Sequence, residues 1–126
     1  TTMKKILIVE DELAYLKLLD AQLSSHGYKV TQATNGKKGL EKAKSEHPDL
    51  ILLDIRMPVM DGITMLEQLR QEEYGKDTGV IMLTNLEPDE QTVEKVVKYK
   101  PICYFVKSDI MFKDLLAKIE SVLGAQ

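Results

Sequence analysis

Leu50-Ile51-Leu52-Leu53-Asp54-Ile55-Arg56-Met57-Pro58-Val59-Met60-Asp61-Gly62 is the stretch that decides the fold. A continuous aliphatic run ends on a lone carboxylate, and a loop punctuated by Pro58 and Gly62 follows at once. Unbroken apolar runs of this length fit a strand buried on both faces, as in a parallel sheet covered by helices. Asp54 then stands at the carboxyl end of a central strand, where open α/β sheets hold their ligands. Taken alone, Asp54 could simply end a strand or cap a turn. A second stretch with the same grammar argues otherwise: Ile6-Leu7-Ile8-Val9 runs straight into Glu10-Asp11-Glu12.

Outward from these two strands the chain alternates. Residues 4–9 form the first strand. A helix from Glu12 to His26 follows, with Leu16, Leu19 and Leu23 as its core stripe and Gly27 stopping it. Leu13, Ala14, Tyr15 and Leu18 widen its apolar surface, which fits either a broad inner face or a surface left for a partner. Tyr28 to Thr34 alternates as a second strand. Asn35-Gly36 suggests a hairpin, but Leu40 and Ala43 continue at helical spacing, so the pair reads as a strand-to-helix loop. Gly36-Lys37-Lys38-Gly39 lacks the spacing and the hydroxyl residue of a phosphate loop. His47-Pro48 ends this helix, and Asp49 begins the central strand.

A third helix spans Gly62 to Glu73, with Ile63, Leu66 and Leu69 facing in, and residues 75–79 are polar linker. Val80-Ile81-Met82-Leu83 is a fourth buried strand, ending on Thr84-Asn85. Pro88 fits the first turn of a helix running to about Tyr99. The fifth strand, Ile102 to Val106, ends on Lys107, and Asp109 can cap a last helix to Leu123. Five strand–helix units joined by right-handed crossovers give one α/β domain over residues 1–126, with a five-stranded parallel sheet and helices on both faces.

Composition agrees. At 126 residues the chain fits one domain, and 44% hydrophobic with 29% charged residues is ordinary for a globular protein. A net charge of −3 without a basic stripe argues against direct nucleic-acid binding. The single Cys103 excludes an internal disulfide framework and a cysteine metal cluster. No secretory signal or membrane-length apolar run is evident, so no membrane insertion and a cytoplasmic location are expected.

Four strand ends converge on one rim: Glu10 and Asp11 from the first strand, Asp54 from the third, Thr84 from the fourth and Lys107 from the fifth. Crowded carboxylates repel, and without a cation at least one would keep its proton. A small hard cation resolves the conflict, and magnesium suits oxygen ligands from a few carboxylates plus waters and phosphate oxygens. With Lys107 as a compact positive charge and Thr84 as a neutral donor, the rim is built to accept a phosphoryl group on a carboxylate nucleophile.

Val9-Glu10-Asp11-Glu12, Leu53-Asp54-Ile55-Arg56-Met57-Pro58-Val59-Met60-Asp61-Gly62, Leu83-Thr84 and Phe105-Val106-Lys107 occur in order at the spacing of one family. The whole chain resembles a bacterial two-component response-regulator receiver domain, similar to the single-domain chemotaxis regulators. The resemblance implies the flavodoxin-like doubly wound fold with strand order 2-1-3-4-5 and five helices. It implies that Asp54 is the phosphoacceptor and that Asp11 holds Mg2+ with the backbone carbonyl of Arg56, Glu10 helping directly or through water. Thr84 and Lys107 would bind phosphoryl oxygens, and Tyr104 would change rotamer with Thr84, turning in from solvent. The implied partners are a sensor histidine kinase or phosphotransfer protein and a downstream protein target.

Two positions depart from the family's pattern. Ser108 stands where proline usually follows the lysine in a cis peptide, and Asn85 stands where a small residue usually follows the threonine. The Lys107–Ser108 bond is expected to be trans, since a cis non-proline bond costs roughly 2.5–4 kcal/mol. Asn85 is expected to narrow access to the phosphoryl group. The chain stops a few residues after its last helix, so output through another protein is expected, although a receiver excised from a longer DNA-binding regulator would read identically. An aspartyl-phosphate hydrolase would need a second aspartate just after the nucleophile, where Arg56 stands. A flavin-binding module would need a phosphate loop where acidic Glu10-Asp11-Glu12 stand. The domain is therefore expected to be a phosphoacceptor limited to self-catalysed transfer and slow autodephosphorylation, and not an enzyme with turnover.

Overall fold

In the computed structural model, which describes residues 2–126 and leaves Thr1 outside, strands and helices alternate five times. The elements are β1 (Lys5–Val9), α1 (Leu13–Ser25), β2 (Lys29–Ala33), α2 (Gly36–Glu46), β3 (Leu50–Leu53) and α3 (Gly62–Gln71). They continue as β4 (Gly79–Thr84), α4 (Glu90–Lys98), β5 (Cys103–Val106) and α5 (Phe112–Leu123). All strand pairs are parallel, in the order β2-β1-β3-β4-β5. This is the expected doubly wound sheet.

The apolar run of β3 explains the layering. Successive strand side chains point to opposite faces. Ile51 and Leu53 join the core shared with Met65, Leu66 and Leu69 of α3, Ala43 of α2 and Val96 of α4. Leu50 and Leu52 join the opposite core, with Leu16, Leu19 and Leu23 of α1 and Leu115 and Ile119 of α5. All four β3 side chains are buried, so both faces need apolar residues and no alternation survives. In the β1–β3 and β3–β4 registers Leu53 lies beside Val9 and Met82, and in the β4–β5 register Thr84 lies beside Val106. The next residues along the chain are therefore delivered to a common edge.

Two helix starts differ from the sequence reading. Pro88 does not enter α4: Asp89 is the cap, its carboxylate accepting from Thr92 N–H at 2.7 Å, and the helix begins at Glu90. Asp109 does not cap α5. Its N–H donates to the Val106 carbonyl in a turn, and α5 starts after Met111 without a side-chain cap. In each case the extra residues are spent turning away from the strand end before the helix axis begins. Gly27 does end α1, with φ +90 just past the cap residue His26, as glycine tolerates without strain.

Ile63 is only half-buried, while Met65, outside the expected stripe, is fully buried. Leu13 and Leu18 of α1 are exposed. No peptide bond among the described residues is cis, Lys107–Ser108 included. Among the described residues no helix is long and apolar enough to cross a membrane.

Candidate functional site

The ends of β1, β3, β4 and β5 each supply one part of a cleft of about 230 Å³, lined by Glu10, Asp11, Asp54, Thr84 and Lys107 together with Glu12, Arg56, Asn85 and Leu86. Glu10 follows β1 and is buried, while Asp11, one residue further, is exposed. Asp54 follows β3 and is only 7% exposed. Its Oδ1 accepts the Ile55 N–H at 2.7 Å, and its Oδ2 accepts from Lys107 Nζ at 3.0 Å. The same ammonium meets Glu10 Oε1 at 2.5 Å. One lysine thus bridges two buried carboxylates, a charge-assisted arrangement that burial strengthens.

The electrostatics follow from that crowding. Burial pushes the Glu10 carboxyl up to about 7, although its hydrogen bonds to Lys107 and to the Glu12 N–H pull the other way. Burial alone would lower the Lys107 ammonium, but its hydrogen bonds to Glu10 and Asp54 outweigh that and raise it. The site therefore holds more negative charge than one cation balances, and the lysine stays charged. Glu10, Asp11 and Asp54 each offer a carboxylate oxygen, and these oxygens lie within 4.8 Å of one another. All the expected carboxylates come together, and Arg56 lines the same cleft, its side chain exposed.

Two backbone approaches set the positions. Gly62, the first residue of α3, donates its N–H to the Ile55 carbonyl at 2.8 Å. A Cβ there would sit 1.9 Å from the Asp54 carbonyl oxygen, so only glycine lets α3 pack against the backbone of the central aspartate. On the far rim Asn85 Oδ1 accepts the Ser108 N–H at 3.0 Å. The two positions that depart from the family pattern are thus bonded to each other: Ser108 keeps the N–H that proline lacks, and Asn85 takes it.

Thr84 is buried, and its Oγ1 accepts the Leu86 N–H at 3.2 Å. Tyr104 donates its hydroxyl to the Leu86 carbonyl at 2.5 Å. The expectation that Tyr104 starts in solvent is not what the structure shows. The ring is half-buried against the α3/α4 core, because Leu86 offers its hydroxyl a partner there. Thr84, Leu86 and Tyr104 form one hydrogen-bonded chain.

The chain matches the family model "response regulator receiver domain" over residues 6–120. A probable transcriptional regulator, ycf27, of Porphyridium aerugineum is 37% identical over 120 residues, covering 95% of this chain and 48% of that protein. For the first relatives found among curated proteins, the matched stretches cover 29% to 48% of their length. A CheY-like response regulator receiver domain protein from Methanospirillum hungatei superposes with TM-score 0.88 at 30% identity, covering 95% of this chain and 93% of that one. The receiver domain of the sensor histidine kinase PA1611 from Pseudomonas aeruginosa has TM-score 0.86 at 27% identity, covering 98% of this chain and all (100%) of that one. It carries a magnesium ion in its active-site cleft.

Proposed function

This chain belongs to the response regulator receiver domain family of two-component systems, and on that premise we propose that Asp54 is the acceptor of the phosphoryl group. The donor is a sensor histidine kinase or a phosphotransfer protein, and the switched surface meets a downstream protein in the cytoplasm. One observation carries the assignment: the buried carboxylates of Glu10 and Asp54 share a single buried ammonium at the strand ends, with Asp11 beside them. In the transfer an Asp54 carboxylate oxygen bonds to phosphorus, the phosphorus–nitrogen bond to the donor histidine breaks, and that nitrogen keeps the electron pair.

The donor set fits magnesium, being hard oxygens from a few carboxylates with room for waters. Glu10, Asp11 and Asp54, with the backbone carbonyl of Arg56, would hold the ion. When bound it supplies charge neutralisation for the incoming phosphoryl oxygens. Lys107, already hydrogen-bonded to Asp54, supplies the remaining positive charge. Thr84 is held through Leu86, so a pull on its hydroxyl by the new acceptor is passed to Tyr104 and to the surface of α4, β5 and α5. Partners that prefer one arrangement strengthen phosphorylation reciprocally.

Turnover as a hydrolase is not part of this reading. The position two residues after Asp54 holds Arg56, whose guanidinium offers hydrogen-bond donors and no acceptor, where a hydrolase needs a carboxylate. The test is phosphorylation by acetyl phosphate with and without magnesium, in wild type and Asp11→Ala. Labelling should require magnesium and vanish in Asp11→Ala while the fold survives; equal labelling without the metal or without Asp11 would contradict the assignment. Beryllofluoride should shift the Tyr104 ring resonance in wild type and much less in Thr84→Ala. An unmoved ring in wild type would refute the Thr84–Leu86–Tyr104 relay.

A further inference from the structure

Tyr15 sits in the first turn of α1, and the sequence places it only among side chains that broaden that helix's apolar surface. In the fold it does something more specific. The Lys107 ammonium lies 4.8 Å from the centroid of the Tyr15 ring, within cation–π range. Two of its three donors are occupied by Glu10 and Asp54, and no oxygen among the described residues takes the third. The Lys107 side chain is only 8% exposed, and among the described residues the ring is the remaining partner of its ammonium.

A hydrogen bond to a carboxylate is directional, whereas attraction to a ring face tolerates lateral motion of the cation. That difference matters when a phosphoryl group arrives and the ammonium exchanges a carboxylate oxygen for a phosphoryl oxygen. The Glu10 contact, at 2.5 Å, resists the exchange. The ring does not, and it keeps the charge in the cleft while the oxygen partners change. The phenol hydroxyl takes no part: no hydrogen bond to another described residue holds it, and burial pushes its ionisation up, so it stays neutral. We propose that Tyr15 is a positioning residue for phosphoryl transfer, its aromatic face holding the Lys107 ammonium over the Asp54 carboxylate. This rests on the reading of Asp54 as phosphoacceptor.

The plain alternative is that Tyr15 fills space between α1 and α5, beside Leu19, Ile110 and Phe112. Leucine would fill much of that space without attracting a cation, and phenylalanine would keep the face. The experiment measures initial rates of acetyl-phosphate phosphorylation in wild type, Tyr15→Phe and Tyr15→Leu. The pair Tyr15→Phe and Tyr15→Leu is then repeated in a Lys107→Met background. A desolvated cation–π contact predicts that Tyr15→Phe stays within about twofold of wild type and Tyr15→Leu falls about five- to thirtyfold. With the ammonium removed by Lys107→Met, the two Tyr15 variants should agree within about twofold. The ε-methylene protons of Lys107 should show ring-current shifts by NMR in wild type and Tyr15→Phe, and lose them in Tyr15→Leu. Equal rates for Tyr15→Phe and Tyr15→Leu, or the same gap in the Lys107→Met background, would overturn the positioning role while leaving Asp54 in place. A wild-type protein that takes up no phosphoryl group would instead refute the reading beneath it, and the role with it.

Discussion

Gly62→Ala adds one methyl group at the first residue of α3, and its consequence can be worked from the geometry. The new Cβ would lie 1.9 Å from the Asp54 carbonyl oxygen and 3.0 Å from Ile55 Cα. A tolerable carbon–oxygen separation is about 3.3 Å, so α3 or the Asp54 backbone must retreat by about 1.4 Å. Overpacking of this kind costs about 1–3 kcal/mol. The retreat also stretches the 2.8 Å bond from Gly62 N–H to the Ile55 carbonyl, a buried bond whose loss costs about 1–3 kcal/mol more. Against these stand the better helix propensity of alanine, about 1 kcal/mol, and a smaller unfolded-state entropy, about 0.4–1 kcal/mol. At mid-range values the clash wins, and the net loss is about 2 kcal/mol. For a domain of this size that lowers the urea midpoint by about 1–2 M. Urea unfolding followed by circular dichroism measures it. The same retreat misplaces Asp54, and displacements near 1 Å cost about a hundredfold in rate, so acetyl-phosphate labelling should fall more steeply than stability. A midpoint equal to or above that of wild type would refute the argument that the backbone of Asp54 is positioned by the missing side chain of Gly62.

Other outcomes follow from single contacts. Val59 is 77% exposed with φ +70, a left-handed conformation that strains a β-branched residue, so Val59→Asn should raise stability by about 1 kcal/mol in the same denaturation assay. An unchanged or lower midpoint would mean that no strain is held there. Asn85→Ala removes the acceptor of the Ser108 N–H and frees the rim loops. The phosphorylated form should lose its label about two- to tenfold faster, with stability changed by less than about 1 kcal/mol because the bond is exposed. An equal or longer lifetime would show that the bond does not guard the cleft.

The architecture was legible because periodicity reports which faces are buried. Leu50–Leu53 lacks alternation since both faces need apolar residues, and five strand–helix units imply a parallel sheet covered on both faces, while the order β2-β1-β3-β4-β5 followed only from the family resemblance. The strand-end residues were legible for a related reason: a charged residue directly after a buried run has nowhere to stand but the sheet edge. Helix starts were less so, because a cap depends on which carbonyl has already taken an N–H, as Val106 takes that of Asp109. Contacts between distant residues left no local signal at all. Arg70 donates to the carbonyls of Gly75, Thr78, Tyr99 and Lys100, tying the end of α4 to the loop after α3. Nothing in the residues around it announces that. The Tyr15 ring against Lys107 and the bond between Asn85 and Ser108 belong to the same class.

Mapping the modified residue decides whether Asp54 receives the phosphoryl group. Phosphorylated protein reduced with borohydride converts an aspartyl phosphate to homoserine, which peptide mass spectrometry locates. Homoserine is expected at position 54, with no label in Asp54→Asn. Homoserine at position 11, or label persisting in Asp54→Asn at the wild-type level, would contradict it.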